Sequence, residues 1–196
     1  MANWQILNDE LYCEPKGVMA LMGIVLAKAQ KDGLGFERIH VLDGFGHTDD
    51  NGNVRVVFSK PFVDWLDGNY RSDFDGDWVL TYNEMPTYCD GWHSSQDHRN
   101  RFKATIKAAK VLTGFNIGYD EETDDDFESE WFAPFVGWAT NDKESGFCDL
   151  FVSDEFIEWL NGDSEHAYVV EYTPESERVN IEDLLIPVEV KIDGEE

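Results

Sequence analysis

Phe58-Ser-Lys-Pro-Phe-Val-Asp-Trp-Leu-Asp-Gly68 returns 94 residues later as Val152-Ser-Asp-Glu-Phe-Ile-Glu-Trp-Leu-Asn-Gly162. Both copies keep Ser, then Phe, an aliphatic residue, an acid, Trp, Leu, an amide or acid, and Gly. Each predicts a short helix. Ser59 and Ser153 suit the N-cap, because a serine oxygen accepts from an orphan amide of the first turn, and Gly68 and Gly162 suit the stop. Phe62, Trp65 and Leu66 fall at i, i+3, i+4, as do Phe156, Trp159 and Leu160. That spacing buries one stripe, so these tryptophans read as core.

The likeness extends outward. Thr48-Asp-Asp-Asn-Gly-Asn precedes Val54–Phe58, and Thr140-Asn-Asp-Lys-Glu-Ser-Gly precedes Phe147–Phe151. Both read as a hairpin turn feeding a strand. Further strands are expected at Arg38–Phe45 and Trp131–Ala139 before the turns, and at Trp78–Tyr82 and Ala167–Tyr172 after the short helices. A longer helix precedes each set. Pro15 opens the first, Val18, Leu21, Met22, Val25 and Ala29 make its stripe, and Gly33 ends it. Ser94 or Ser95 caps the second, with Phe102, Ile106 and Ala109 as stripe and Gly114 as stop. The expected fold is α+β: two tandem helix-strand-strand-helix-strand units, residues 1–92 and 93–196, with mainly antiparallel sheet. Short terminal strands are expected near Trp4–Leu7 and Ile186–Ile192.

The repeat also serves as a ruler. The short helices are 94 residues apart and the turns 92, but Gly33 and Gly114 only 81. About eleven residues then look inserted in the second unit. They coincide with the acidic tract 120–130, in which Asp120, Glu121, Glu122, Asp124, Asp125, Asp126, Glu128 and Glu130 are carboxylates.

Charge decides the functional expectation. The chain has 15 Lys and Arg against 41 Asp and Glu, a net charge of −26. Residues 119–196 hold 3 basic and 25 acidic side chains, so the C-terminal part is the anionic one. Such a field repels nucleic acid and anionic membrane and steers cationic surfaces inward. Hydrophobic residues at 42% argue against a disordered acidic tail. Three cysteines, the absence of a membrane-length apolar run, and a start without signal-peptide character predict a soluble cytoplasmic protein.

The expected partner is a positively charged protein, a nucleic-acid-binding enzyme or complex. Carboxylates on a rigid frame resemble phosphates in sign, and Arg and Lys that bind phosphates read position and charge rather than sequence. The expected function is an acidic nucleic-acid mimic that blocks a basic site, as phage counter-defence against CRISPR or restriction, or nuclease immunity, requires. The alternative is a non-enzymatic acidic adaptor that assembles through aromatic surfaces. Asp73, Asp75 and Asp77 form a second acidic candidate. Arg99, Lys103, Lys107 and Lys110 fall on one face of the second long helix and suggest self-association into a homodimer.

Catalytic patterns are missing from the sequence. It contains no GxGxxG after a strand, no GxxxxGK[ST], no HExxH and no GxSxG. No catalytic residue and no cofactor are expected. Cys89, His93 and His98, with Asp90 and Asp97 nearby, are weak metal candidates at C-x3-H-x4-H, a spacing that matches no common zinc finger and lacks a fourth thiol or His at short range.

Overall fold

The computed structural model describes residues 11–66, 68–84, 101–123, 126–140, 143–161 and 167–178. The two expected terminal strands and the 92/93 boundary lie outside these residues. The first half of the chain runs β1 (Tyr12–Cys13), α1 (Pro15–Met22), β2 (Ile24–Ala29), β3 (Phe36–His40), β4 (Leu42–Thr48), β5 (Val54–Phe58), α2 (Lys60–Leu66), β6 (Trp78–Tyr82). The second runs β7 (Arg101–Thr105), α3 (Ile106–Leu112), β8 (Phe115–Glu122), β9 (Phe127–Phe132), β10 (Phe135–Ala139), β11 (Phe147–Val152), α4 (Asp154–Asn161), β12 (Val169–Tyr172).

The protein is thus mixed α+β, and its described residues form two six-stranded sheets. One sheet has the order β4-β5-β1-β12-β8-β9, the other β10-β11-β7-β6-β2-β3. Advancing every strand of the first by six, cyclically, produces the second. Each half therefore gives three strands to each sheet, and the expected tandem helix-strand-strand-helix-strand units are not what the chain builds. The halves meet through parallel pairs, β1 with β12 and β6 with β7, while the other pairs are antiparallel.

The short helices form as their sequences imply. The Ser59 hydroxyl accepts from the Phe62 amide at 3.2 Å, and the Ser153 hydroxyl from the Phe156 amide at 3.1 Å. Trp159 is buried, and Trp65 packs against Phe102 with ring centroids 5.2 Å apart. The two serines also explain why each long strand expectation splits in two. The Ser59 amide donates to the Val41 carbonyl and the Ser153 amide to the Pro134 carbonyl. At those points the chain leaves one sheet for the other, so β3 and β4, like β9 and β10, belong to different sheets.

The first long helix is shorter than expected. It stops at Met22, and Ile24, Val25, Leu26 and Ala27 are all buried in β2. A strand flanked by β6 and β3 and covered on both faces reads as an unbroken apolar run, which mimics a helical stripe. Gly23 caps the end of α1, and the position needs glycine because a Cβ there would lie 2.4 Å from the Tyr82 ring. Gly33, at φ +72°, is a turn glycine between β2 and β3, not a helix stop.

This changes the ruler. Gly23, whose carbonyl accepts from the Asn83 amide at 2.9 Å, corresponds to Gly114, whose carbonyl accepts from the Thr173 amide at 2.8 Å. These glycines are 91 residues apart, against 94 for the serine caps, so the eleven-residue insertion shrinks to about three. The acidic tract is an ordinary element of the repeat, the counterpart of the β2–β3 hairpin. The second long helix is also truncated. Arg101–Thr105 pair with β11 and β6 as a strand, and the helix begins only where the Thr105 hydroxyl accepts from the Ala108 amide at 3.2 Å.

One core joins the halves, including Leu11, Cys13, Ile24, Leu26, Val56, Leu80, Ala104, Ala108, Ile117, Leu150 and Val170. Burial first, then neighbouring Glu14, pushes the Cys13 thiol up to about 12, and burial with Asp149 pushes Cys148 to about 11. Both thiols are therefore protonated and inert at neutral pH. Among the described residues no helix is long and apolar enough to cross a membrane.

Candidate functional site

The β8–β9 hairpin begins inside the core and ends in solvent. Phe115 and Ile117 are buried, which seats the first half of β8 against β12. From Asp120 onward both strands are exposed. Thr123 closes the tip: its amide donates to the Asp126 carbonyl at 2.9 Å, and its hydroxyl accepts from the Asp126 amide at 3.0 Å. One of the few uncharged residues in the tract is thus the turn former.

The register sorts the carboxylates onto two faces. Ile117 lies opposite Phe132, Gly118 opposite Trp131, Tyr119 opposite Glu130, Asp120 opposite Ser129, Glu121 opposite Glu128, and Glu122 opposite Phe127. Opposed residues share a face, and successive residues alternate. The face continuing from the core therefore carries Tyr119, Glu121, Glu128 and Glu130. The outer face carries Asp120, Glu122, Phe127, Ser129 and Trp131. Side chains two apart on a strand are spaced by about 6.6 Å.

Asp120 and Glu130 accept hydrogen bonds from neutral donors. Asp120 Oδ1 accepts from Ser129 Oγ at 2.6 Å and from Trp131 Nε1 at 2.9 Å, and these bonds hold its carboxyl below the usual aspartate range. Glu130 Oε2 accepts from Tyr168 Oη at 3.2 Å. Partial desolvation, and then the charges of Glu130, Glu128 and Glu121, raise the Tyr119 phenol. Asp126 is exposed at the tip. Asp124 and Asp125 lie outside the described residues.

The other candidates do not join this hairpin. Asp73, Asp75 and Asp77 sit in the loop before β6. Asp75 Oδ1 accepts from the Lys31 amide at 2.9 Å, so this carboxylate pins the β2–β3 turn in the other sheet. The expected basic residues do not all stand on one helix. Lys103 is on strand β7, its Nζ 5.4 Å from the centre of the Phe147 ring, while Lys107 and Lys110 are on α3. Lys107 pairs with Glu84 at 3.6 Å and Lys110 with Glu175 at 2.7 Å, so both already have acidic neighbours within the chain. Arg99 lies outside the described residues, as do Cys89, His93 and His98. Among the described residues no three His, Cys, Asp or Glu side chains are placed to hold a metal ion. A shallow, open depression of about 320 Å³ on β4 and β5 is lined by Asp43, Phe45, His47, Arg55 and Val57, with Asp43 the only carboxylate among its described lining residues.

The chain matches no protein-family model, no curated protein and no solved structure. The site that sequence reasoning missed is Trp131 above Gly118, on the outer face. Its signal was present: Phe127-Glu-Ser-Glu-Trp131 alternates with period two, which is a strand pattern rather than a loop.

Proposed function

We propose that the β8–β9 hairpin is an acidic surface that occupies the basic nucleic-acid-binding site of a DNA- or RNA-handling protein and blocks it. One observation carries this reading. From Val111 to Asp142 the chain contains no Lys or Arg, and the described carboxylates of the hairpin, Asp120, Glu121, Glu122, Asp126, Glu128 and Glu130, are all exposed. The arrangement works against stability, because Glu121 directly opposes Glu128. Like charges so placed on a sheet cost roughly 0.2–1 kcal/mol. The equivalent β2–β3 hairpin forms the same ladder without this charge, so the fold does not require it.

A row of carboxylates in front of a cationic groove adds affinity by Coulomb attraction and speeds encounter, and it does so most strongly at low salt. Inhibition follows by exclusion: the groove cannot hold the hairpin and a phosphate backbone together. Blocking CRISPR effectors, restriction enzymes or toxic nucleases would suit such a device. The test is capture of a basic partner at low salt, with the partner's own nucleic-acid binding measured as the protein is added. Capture should weaken steeply with salt, be competed by DNA or RNA, and be lost when Glu121, Glu122, Asp126, Glu128 and Glu130 become amides. Capture that survives both high salt and excess nucleic acid would remove the mimic reading in favour of assembly through aromatic surfaces.

A further inference from the structure

Trp131 is the only tryptophan among the described residues that stays exposed, at 38%. It is nevertheless held in one position. A Cβ built on Gly118 would lie 2.3 Å from Trp131 Cδ2 and 2.6 Å from Cε3, so the indole packs against the neighbouring strand in the space the glycine leaves. Its edge is tied by Nε1 to Asp120 Oδ1 at 2.9 Å, and Ser129 Oγ donates to the same oxygen. The ring is thus held by its contact with Gly118 and by the hydrogen bond to Asp120, and the residue still meets solvent.

The charges around this ring narrow what it receives. Asp120 and Glu122 share its face on the adjacent strand, and no cation occurs in the sequence of the hairpin. A planar cation fits both features. A guanidinium can stack on the indole while its N–H groups reach a carboxylate beside the ring, whereas an ammonium offers only a point charge and stays more strongly hydrated. The side chain that binds phosphates bidentately is the same one that stacks on aromatic rings.

We infer that the outer face of β8–β9 is an arginine-docking subsite, with Trp131 as the stacking platform and Asp120 and Glu122 as the flanking acceptors. Its occupant is an arginine of the partner's phosphate-binding site. This deepens the mimic reading and rests on it. Asp120 has two roles here, since it orients the indole and supplies charge. Phe127, 62% exposed and opposite Glu122, extends the same face towards the tip.

The test uses the full chain, isotope-labelled, with octa-arginine and octa-lysine peptides as probes at equal salt. Octa-arginine should bind roughly three- to tenfold tighter, and it should shift the Trp131 indole N–H resonance. The preference should fall to about one in Trp131→Leu. Glu121→Gln, Glu128→Gln and Glu130→Gln together should weaken both peptides alike. The indole shift in the unsubstituted chain needs no mutant, so a misfolded Trp131→Leu would not spare the idea. Equal binding of the two peptides, an arginine preference that survives Trp131→Leu, or a Trp131-dependent dimer that excludes both peptides would overturn the subsite. If neither peptide perturbs the hairpin at all, the mimic reading fails with it.

Discussion

The β2–β3 and β8–β9 hairpins occupy the same place in the two sheets, yet only one of them is acidic. Their registers correspond pair by pair: Leu26 opposite Ile39 matches Ile117 opposite Phe132, Ala27 opposite Arg38 matches Gly118 opposite Trp131, and Lys28 opposite Glu37 matches Tyr119 opposite Glu130. The first hairpin mixes charges, with Lys28, Lys31 and Arg38 beside Asp32 and Glu37. The loop before β6 supports it: Tyr70 and Ser72 donate to Glu37, and Asp75 accepts from the Lys31 amide. The second has no basic residue, and Glu130, the counterpart of Glu37, takes a hydrogen bond from Tyr168. The architecture asks for the apolar pair nearest the core and for a closed ladder. Beyond that pair each hairpin was at liberty to differ, and the difference is where function is sought.

The largest effect should come from the pair the hairpins share. Leu26→Ala and Ile117→Ala each remove a buried side chain from the common core, and each should cost about 2–5 kcal/mol in denaturant unfolding. A much smaller loss at Ile117 would mean that the acidic hairpin is not supported as its counterpart is.

Next comes the adjoining pair, where Gly118 and Trp131 stand in place of Ala27 and Arg38. Ala27 is fully buried, and its equivalent is Gly118. Gly118→Ala would set a Cβ 2.3 Å from the Glu130 carbonyl oxygen as well as against the indole, at a cost of about 1–3 kcal/mol. The Trp131 indole resonance should move with it. An unmoved indole would show that the ring does not rest on Gly118.

The smallest effect should have the opposite sign. Glu121→Lys puts a cation opposite Glu128 and should raise stability by about 0.2–1 kcal/mol, a gain that fades in 1 M salt. If the substitution destabilised the chain at low salt, the acids would be structural, and the contrast between the hairpins would lose its meaning.

Legibility followed the range of the interactions. The serine caps, the strands Val54–Phe58 and Trp78–Tyr82, and the burial of Trp159 could be read directly, because each depends on a few neighbouring residues. The first long helix was misread because β2 is covered on both faces, and a short apolar run does not tell a buried strand from a helix; the second was misread because Arg101–Thr105 becomes a strand only through pairing with the distant β11 and β6. The first error shifted the ruler from Gly23 to Gly33 and turned the acidic hairpin into an insertion. The basic face failed likewise, since Lys103 and Lys107 share a helical spacing but stand on a strand and a helix.

The sequence by itself determined the capped helices, the recurrence of the Ser-to-Gly segments and the crowding of negative charge after residue 118, because local hydrogen bonding and composition are written within short windows. The tertiary structure decided the interlacing of the halves, the partner of every strand and the face on which each carboxylate stands. It also set the Trp131 indole against Gly118 with its Nε1 on Asp120. Those outcomes depend on pairing between residues distant in the chain. Register shows which side chains share a face only after the pairing is known.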